Sequence, residues 1–407
     1  MMTSENIEIP EHVPAELVSS FSLRMGEFTE ENPWEKIIPD ECNGPDITYA
    51  PDGYPAGGPS WILRKASDIK AVYQNPECFS SADFSPFGIM SGEEWSLVPV
   101  EIDPPHHGPI RQMLNPVFSP PAMKRMEQPV KDAATRCIER FKSGGNVDFV
   151  KVFAGPYPVG VILDLMELPQ DRMEEFLVWE KQMLHSGDFT EMVTGCRNSV
   201  AYLKEVLAER QANPGDDLIS HMIKTPIQGR EATYNELMGY FFNLFIGGLD
   251  TVTASLSNMF RYLAEHPVEQ QYLRENPDKI PAAVEELMRA FSPVTTYRTV
   301  TQEIEISGVR MLPGDKVAVS TTLSNRDHLA FDDPHAVSFD RKAAQHVAFG
   351  HGIHFCLGVH LAKRELRIAV AEMLAAFSDI RLQPGVAIRS QVGGIVQPTN
   401  LPLILTV

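Results

Sequence analysis

From about Pro121 onward, apolar residues recur at intervals of three and four, the spacing of helices with one buried face. Before that point the chain is rich in Pro, Gly and aromatics. That region predicts loops, short helices and short strands such as Trp61-Ile62-Leu63. Residues 173–185 and 192–213 predict amphipathic helices, the second closed by Asn213-Pro214-Gly215. The longest predicted helix runs over residues 234–266. Thr233 and Glu236 are placed to form a capping box at its start, and Pro267 marks its end. At about 1.5 Å per residue it would be about 50 Å long. Its centre, Phe241 to Gly248, is apolar almost all round, which belongs in a core. Another helix begins near Pro281 and stops before Pro293, and residues 295–320 alternate like strands around turns at Ser307-Gly308 and Pro313-Gly314. A final helix carries an apolar stripe at Ala362, Leu366, Val370, Met373 and Phe377. The fold predicted is mainly α with a minor β part (α+β), as a single domain over residues 1–407.

Composition narrows the function classes. With 43% hydrophobic and 22% charged residues in 407, the chain can build a large core. A net charge of -19 disfavours nucleic acid as a partner, because phosphate neutralisation needs clustered Lys and Arg. No segment approaches the roughly 18 uninterrupted apolar residues of a membrane span. Cys42, Cys78, Cys137, Cys196 and Cys356 are scattered and odd in number, so a disulfide framework is not expected and a reducing cytoplasm is. No GxGxxG loop follows a strand, so no nicotinamide or flavin domain is expected.

Candidate chemistry gathers in two segments. Cys356 stands at the mouth of the last long helix, where helix amides favour a thiolate, with Gly352 and Gly358 allowing close backbone approach. Alone, it reads equally as a small buried hydrophobe, or as part of a metal set with His351, His354 and His360. In the long helix, Gly247-Gly248 would permit a kink or a widened turn. Asp250 and Thr251 beside them form an acid–alcohol pair suited to proton relay, or to helix packing with Thr251 bonded back to a carbonyl.

Phe349 to Gly358 resembles the cysteine-loop pattern FGxGxHxCxG of the cytochrome P450 family, matching every specified position. Gly247-Gly248-Leu249-Asp250-Thr251, Asp103 to Arg111 (DPPxHxxxR) and Glu286-x-x-Arg289 resemble other family patterns in the expected order. The nearest likeness is to the soluble bacterial class that includes camphor-hydroxylating enzymes. The resemblance implies haem b (iron protoporphyrin IX) held between the long central helix and the cysteine-loop helix, with O2 as co-substrate. By the same likeness Cys356 would bind the iron, and Asp250 and Thr251 would be catalytic. His107, Arg111, Arg298, His354, Gly247, Gly248 and Phe349 would contact the haem. Glu286, Arg289 and Arg341 would form a structural triad holding the cysteine loop.

The implied activity is a haem-thiolate monooxygenase that hydroxylates a small hydrophobic substrate, a terpenoid or norisoprenoid. Electrons would come from a ferredoxin with a separate NADH-dependent ferredoxin reductase, docking near Arg111, Lys342 and Arg364. A monomer that uses no membrane is expected. A peroxide-using or non-oxygenating haem-thiolate enzyme, or a haem-binding sensor, are the alternatives. Substrate contacts would come from Phe87, Trp95, Asn243, Ile246, Val294, Thr295, Ile395 and Val396. Trp95, Asn243 and Thr296 depart from the camphor-hydroxylating pattern, which carries tyrosine, an aliphatic residue and aspartate there. Asn243 is open to two readings, a substrate contact or an internal hydrogen bond.

Overall fold

The computed structural model describes residues 9–23, 27–55, 57–341 and 346–407; Lys342 lies outside them. Half of the chain is helical, with a smaller β part. The helices that place the site are α1 (Ala66–Gln74), α2 (Glu127–Glu139), α3 (Pro156–Leu165), α4 (Met173–His185), α5 (Phe189–Ala212), α6 (Tyr234–Glu265), α7 (Ile280–Ala290) and α8 (Val359–Ala376). Thr233 and Glu236 form the predicted capping box on α6, and the helix ends one residue earlier than expected, with His266 as its cap. It is unbroken, so Gly247-Gly248 introduces no interruption. α5 begins three residues before the predicted start, because the Asp188 carboxylate caps it by accepting from the amides of Thr190 and Glu191.

The main sheet has five strands: β1 (Ile47–Ala50), β2 (Ser60–Leu63), β3 (Phe79–Ser80), β4 (Thr295–Val300) and β5 (Lys316–Ser320). Their order is β1-β2-β5-β4-β3, with only β2 and β5 parallel. A small sheet near the C-terminus pairs β6 (Ser390–Val392) with β7 (Gln397–Pro398) and with Glu27–Thr29. The largest apolar cluster joins α2 to α8, while separate clusters pack the main sheet.

The predicted triad forms. Glu286 accepts from Arg289 Nη2 (2.8 Å) and Nε (2.9 Å), and from Arg341 Nε (2.9 Å). Arg289 also donates to the carbonyls of Asn325 (3.0 Å), Pro334 (2.7 Å) and Ala336 (2.9 Å). Every donor is used on a side chain only 1% exposed, the condition under which a buried charge is tolerated. Arg289→Met should therefore cost about 3–5 kcal/mol in a denaturant melt, since it removes two of the donors to buried Glu286 and all three to the carbonyls of Asn325, Pro334 and Ala336. Arg310→Met, which breaks the exposed pair with Glu303, should cost less than about 1 kcal/mol. Equal losses would contradict this account.

Candidate active site

α6, the chain around β4 and the loop before α8 enclose a cavity of about 310 Å³. From α6 it is lined by residues 243, 244, 247, 248, 251, 252 and 255, one stripe at helical spacing. Asn243, Gly247, Gly248 and Thr251 are on that stripe; Ile246 and Asp250 are not. A Cβ on Gly248 would overlap the Ile162 side chain of α3, so glycine here is set by helix approach. A Cβ on Gly247 would meet only Asn243 Oδ1, at 3.8 Å. The Thr251 hydroxyl donates to the Gly247 carbonyl at 2.9 Å, on the cavity wall.

The cysteine loop also lines the cavity. The Cys356 amide donates to the Phe349 carbonyl at 2.9 Å, closing the loop so that Phe349, His354 and Cys356 all line the cavity. Gly352 has φ +68, and a Cβ there would strike the Tyr73 carbonyl. Its role is thus a turn packed on α1, rather than the close approach to a macrocycle first expected. Burial pushes the Cys356 thiol up, against the Gly358 amide and the Arg111 guanidinium, which favour the thiolate. His351, His354, Cys356 and His360 do not form a cluster with metal-binding spacing among the described residues.

One rim of the cavity is cationic. Arg298, 3% exposed, donates to the Tyr297 carbonyl at 2.7 Å and lies over the Tyr73 ring. Arg111 donates to the Phe355 carbonyl at 2.8 Å. The rings of His107 and His354 are 4.4 Å apart. Burial, with Arg298 nearby, pulls His354 down to about 3, and burial beside Arg111 pulls His107 down to about 4. His107 Nε2 and His354 Nδ1 are buried without hydrogen-bond partners among the described residues. Asp103 takes its bonds from Ser80 and Ser81, and Ser81 in turn meets His354 Nε2 at 3.0 Å. Two arginines with spare N–H donors, together with the unpartnered His354 Nδ1 on the lining and His107 Nε2 behind it, fit a ligand bearing carboxylates once those imidazoles take up protons. A thiol lining the same cavity as the glycine stripe fits the iron of a flat macrocycle. The residues present therefore fit haem.

The other expected contacts fall elsewhere. Thr295 turns away from the cavity and bonds Ser320 Oγ at 3.0 Å, because alternate residues of β4 share a face; Thr296 and Arg298 line the cavity instead. Val294 lines it, just before the strand. Ile395 pairs with Val294 as a bridge behind it, and Val396 is buried in the core with Trp34 and Tyr297. Phe87 and Trp95 pack on Phe242 at 5.5 and 4.9 Å and are outside the lining. The Trp95 indole Nε1 is buried and unpartnered among the described residues. Asn243 does both things expected of it: it lines the cavity, and its Nδ2 donates to the Val98 carbonyl at 3.1 Å.

Asp250 faces α4 and β7. Its Oδ1 accepts from Gln397 Nε2 (2.6 Å) and lies 3.0 Å from His185 Nε2. Glu180 is beside them. Burial, with Asp250 nearby, pushes Glu180 up to about 8. Burial opposes charge on His185, but Asp250 outweighs it and raises that imidazole to about 9. Neither Glu180 nor His185 was expected from the sequence. Amphipathic spacing in residues 173–185 marks the helix, but it does not show that Glu180 is buried and His185 half-buried.

Thiol, glycine stripe and cationic rim together define a haem-thiolate oxidoreductase. The chain belongs to the cytochrome P450 family, whose model matches residues 181–405. It is 35% identical over 402 residues to the probable cytochrome P450 127A1 of Sinorhizobium fredii, covering 97% of this chain and 96% of that one. It is 34% identical to the erythromycin C-12 hydroxylase of Saccharopolyspora erythraea, over 79% and 82% of the two chains. The crystal structure of cytochrome P450 CYP101C1 superposes with a TM-score of 0.87 at 30% identity, covering 98% of this chain and 99% of that one. The family uses haem b, with O2 as co-substrate.

The two adjacent glycines should respond differently to one methyl group. Gly248→Ala must displace Ile162 and should lose about 1–3 kcal/mol of stability. Gly247→Ala, with room for its methyl, should melt at or above the wild-type temperature. Equal destabilisation of both would show that the helix approach is not the reason for glycine at 248.

Proposed function

We propose that this enzyme hydroxylates a compact hydrophobic substrate, a terpenoid or norisoprenoid, using O2 and electrons from a ferredoxin with a separate NADH-dependent reductase. The observation that carries the reading is that Cys356 and the Asn243–Thr251 stripe line one largely apolar cavity. Cys356 would bind the iron. His107, His354, Arg298 and Arg111 would hold the carboxylates. When bound, the haem supplies oxygen activation. Thr251 presents a hydroxyl on the cavity wall, oriented by the Gly247 carbonyl. Asp250 would serve as the acid behind it, and reaching the cavity requires its carboxylate to leave Gln397 and His185. Asn243 gives one of its two Nδ2 hydrogens to Val98, and its Oδ1 is the acceptor beside Gly247. A substrate hydroxyl suits that acceptor. An acidic ferredoxin would dock on the Cys356 side; Arg364 there is paired with Glu127, so Arg111 is the better steering charge.

Haem-loaded protein should be screened with hydrophobic compounds for a spin-state shift, and hits then assayed with NADH and a reconstituted ferredoxin system. The expected result is NADH oxidation coupled to a hydroxylated product. Turnover with peroxide alone would overturn the reading. Cys356→Ser should abolish the red-shifted Soret band of the reduced carbonyl complex; a retained band would remove Cys356 as ligand. Asn243→Leu should weaken binding of a hydroxyl-bearing hit about tenfold, the worth of one hydrogen bond. Unchanged affinity and regiochemistry would exclude the contact.

A further inference from the structure

Glu180 and His185 on α4 meet Asp250 on α6, away from the Cys356 cavity. One carboxylate oxygen of each acid and one imidazole nitrogen lie within 4.8 Å of one another. His185 Nδ1 is 3.0 Å from Gln391 Oε1. An amide oxygen only accepts, so that contact requires the proton on Nδ1. In the neutral ring Nε2 is then a lone pair aimed at the Asp250 carboxylate, 3.0 Å away. Two acceptors facing each other need a positive species between them, either a proton or a metal cation. Glu180 is 5% exposed, and its Oε1 finds no hydrogen-bond partner among the described residues. The polar neighbours that complete the set are amides: Gln391, and Gln397 donating to Asp250 Oδ1 at 2.6 Å.

We propose that Glu180, His185 and Asp250 form a binding site for a divalent transition-metal cation of the Zn2+ class, distinct from the haem site. One imidazole and two carboxylates match that donor preference better than the all-oxygen sets of Ca2+ or Mg2+. Charge balances, because a neutral imidazole and two carboxylates carry the same charge that a divalent cation cancels. Without a cation, burial of two carboxylates beside one imidazole is neutral only if two protons are held. Gln391 holds the imidazole in the tautomer a metal needs. Three protein donors leave a coordination position for water. His185, with its side chain 18% exposed, gives the ion a way in at the end of α4. Bound metal would fix the Asp250 carboxylate in its present orientation and so slow turnover, a consequence that rests on the role given to Asp250 above. The site itself does not rest on that role.

The test is equilibrium dialysis of haem-loaded full chain, stripped with a chelator, against buffered free Zn2+ near neutral pH, with zinc and haem iron measured by elemental analysis. The expected result is one zinc per haem in the wild type. Glu180→Gln and His185→Gln should lower the affinity at least tenfold. Gln391→Leu keeps all three ligands and should lower it about 10–100-fold, as loss of a ligand's supporting hydrogen bond does. The haem spectrum and the melt of each variant without zinc establish that it is folded. Wild type that retains no zinc, showing that protons alone neutralise the cluster, would overturn the proposal. So would zinc bound by His185→Gln as tightly as by the wild type, which places it on another histidine. Slowed turnover is read separately, so an inert Asp250 would leave the zinc stoichiometry unchanged.

Discussion

The position of Cys356 depends on one buried guanidinium. Arg289 takes Glu286 as its counter-charge and gives its remaining donors to the carbonyls of Asn325, Pro334 and Ala336. Those carbonyls belong to irregular chain, which has no ladder of its own to satisfy them. Asn325 passes the constraint on: its Oδ1 accepts from the Val347 amide at 2.8 Å. Two residues later the Phe349 carbonyl receives the Cys356 amide. A second tie runs beside it, with Glu285 accepting from Lys363 at 2.8 Å and so joining α7 to α8. The thiol is thus located by hydrogen bonds reaching back to α7, some 70 residues earlier in the chain, and the loop that carries it is rigid without being regular.

Much of this was legible in the sequence because helical and strand periods are short. The capping box, the closing proline and the apolar centre located α6 to within a residue. The period places the cavity stripe but does not choose its flank. Asn243, Gly247 and Thr251 are four apart and share a face; the residues one position on (Leu244, Gly248, Val252) join them at the cavity, while Ile246 and Asp250, one position before, do not. In β4, accepting Arg298 as a cavity residue commits Thr296 to that wall and turns Thr295 to Ser320. Phe87 and Trp95 failed for another reason. Phe87 opens the five-residue helix Phe87–Ser91 and Trp95 lies in the irregular chain after it, too short a stretch for a period to show, and both pack on Phe242.

Long-range polar pairing was not legible. Nothing local tells Asp250 that its partners are His185 and Gln397, or tells Gln391 that it faces His185. Such pairings arise where α4, α6 and the small C-terminal sheet meet, and their sequence separations are 65, 147 and 206 residues. Family resemblance located Asp250 but not its surroundings. Composition misleads here, since Glu180 and His185 read as ordinary polar-face residues of an amphipathic helix, and burial reverses their energetics.

Asp250 consequently belongs to two structures at once. Through the backbone it is bound to Thr251, whose hydroxyl is on the cavity wall. Through its carboxylate it is bound to the last turn of α4 and to β7. α4 packs against α5 and rests on α6 through Phe176, which meets Phe245 at 5.3 Å, so α4 covers this side of the central helix. A 3.0 Å charged contact weakens steeply when its atoms separate by an ångström or its angle bends. A shift of α4 over α6 must therefore loosen the grip on Asp250, although α4 supplies no residue to the cavity lining among the described residues. The packing of α4 thus reaches the residue next to Thr251 through one carboxylate, while the Thr251 hydroxyl keeps its own bond to Gly247 on the cavity wall.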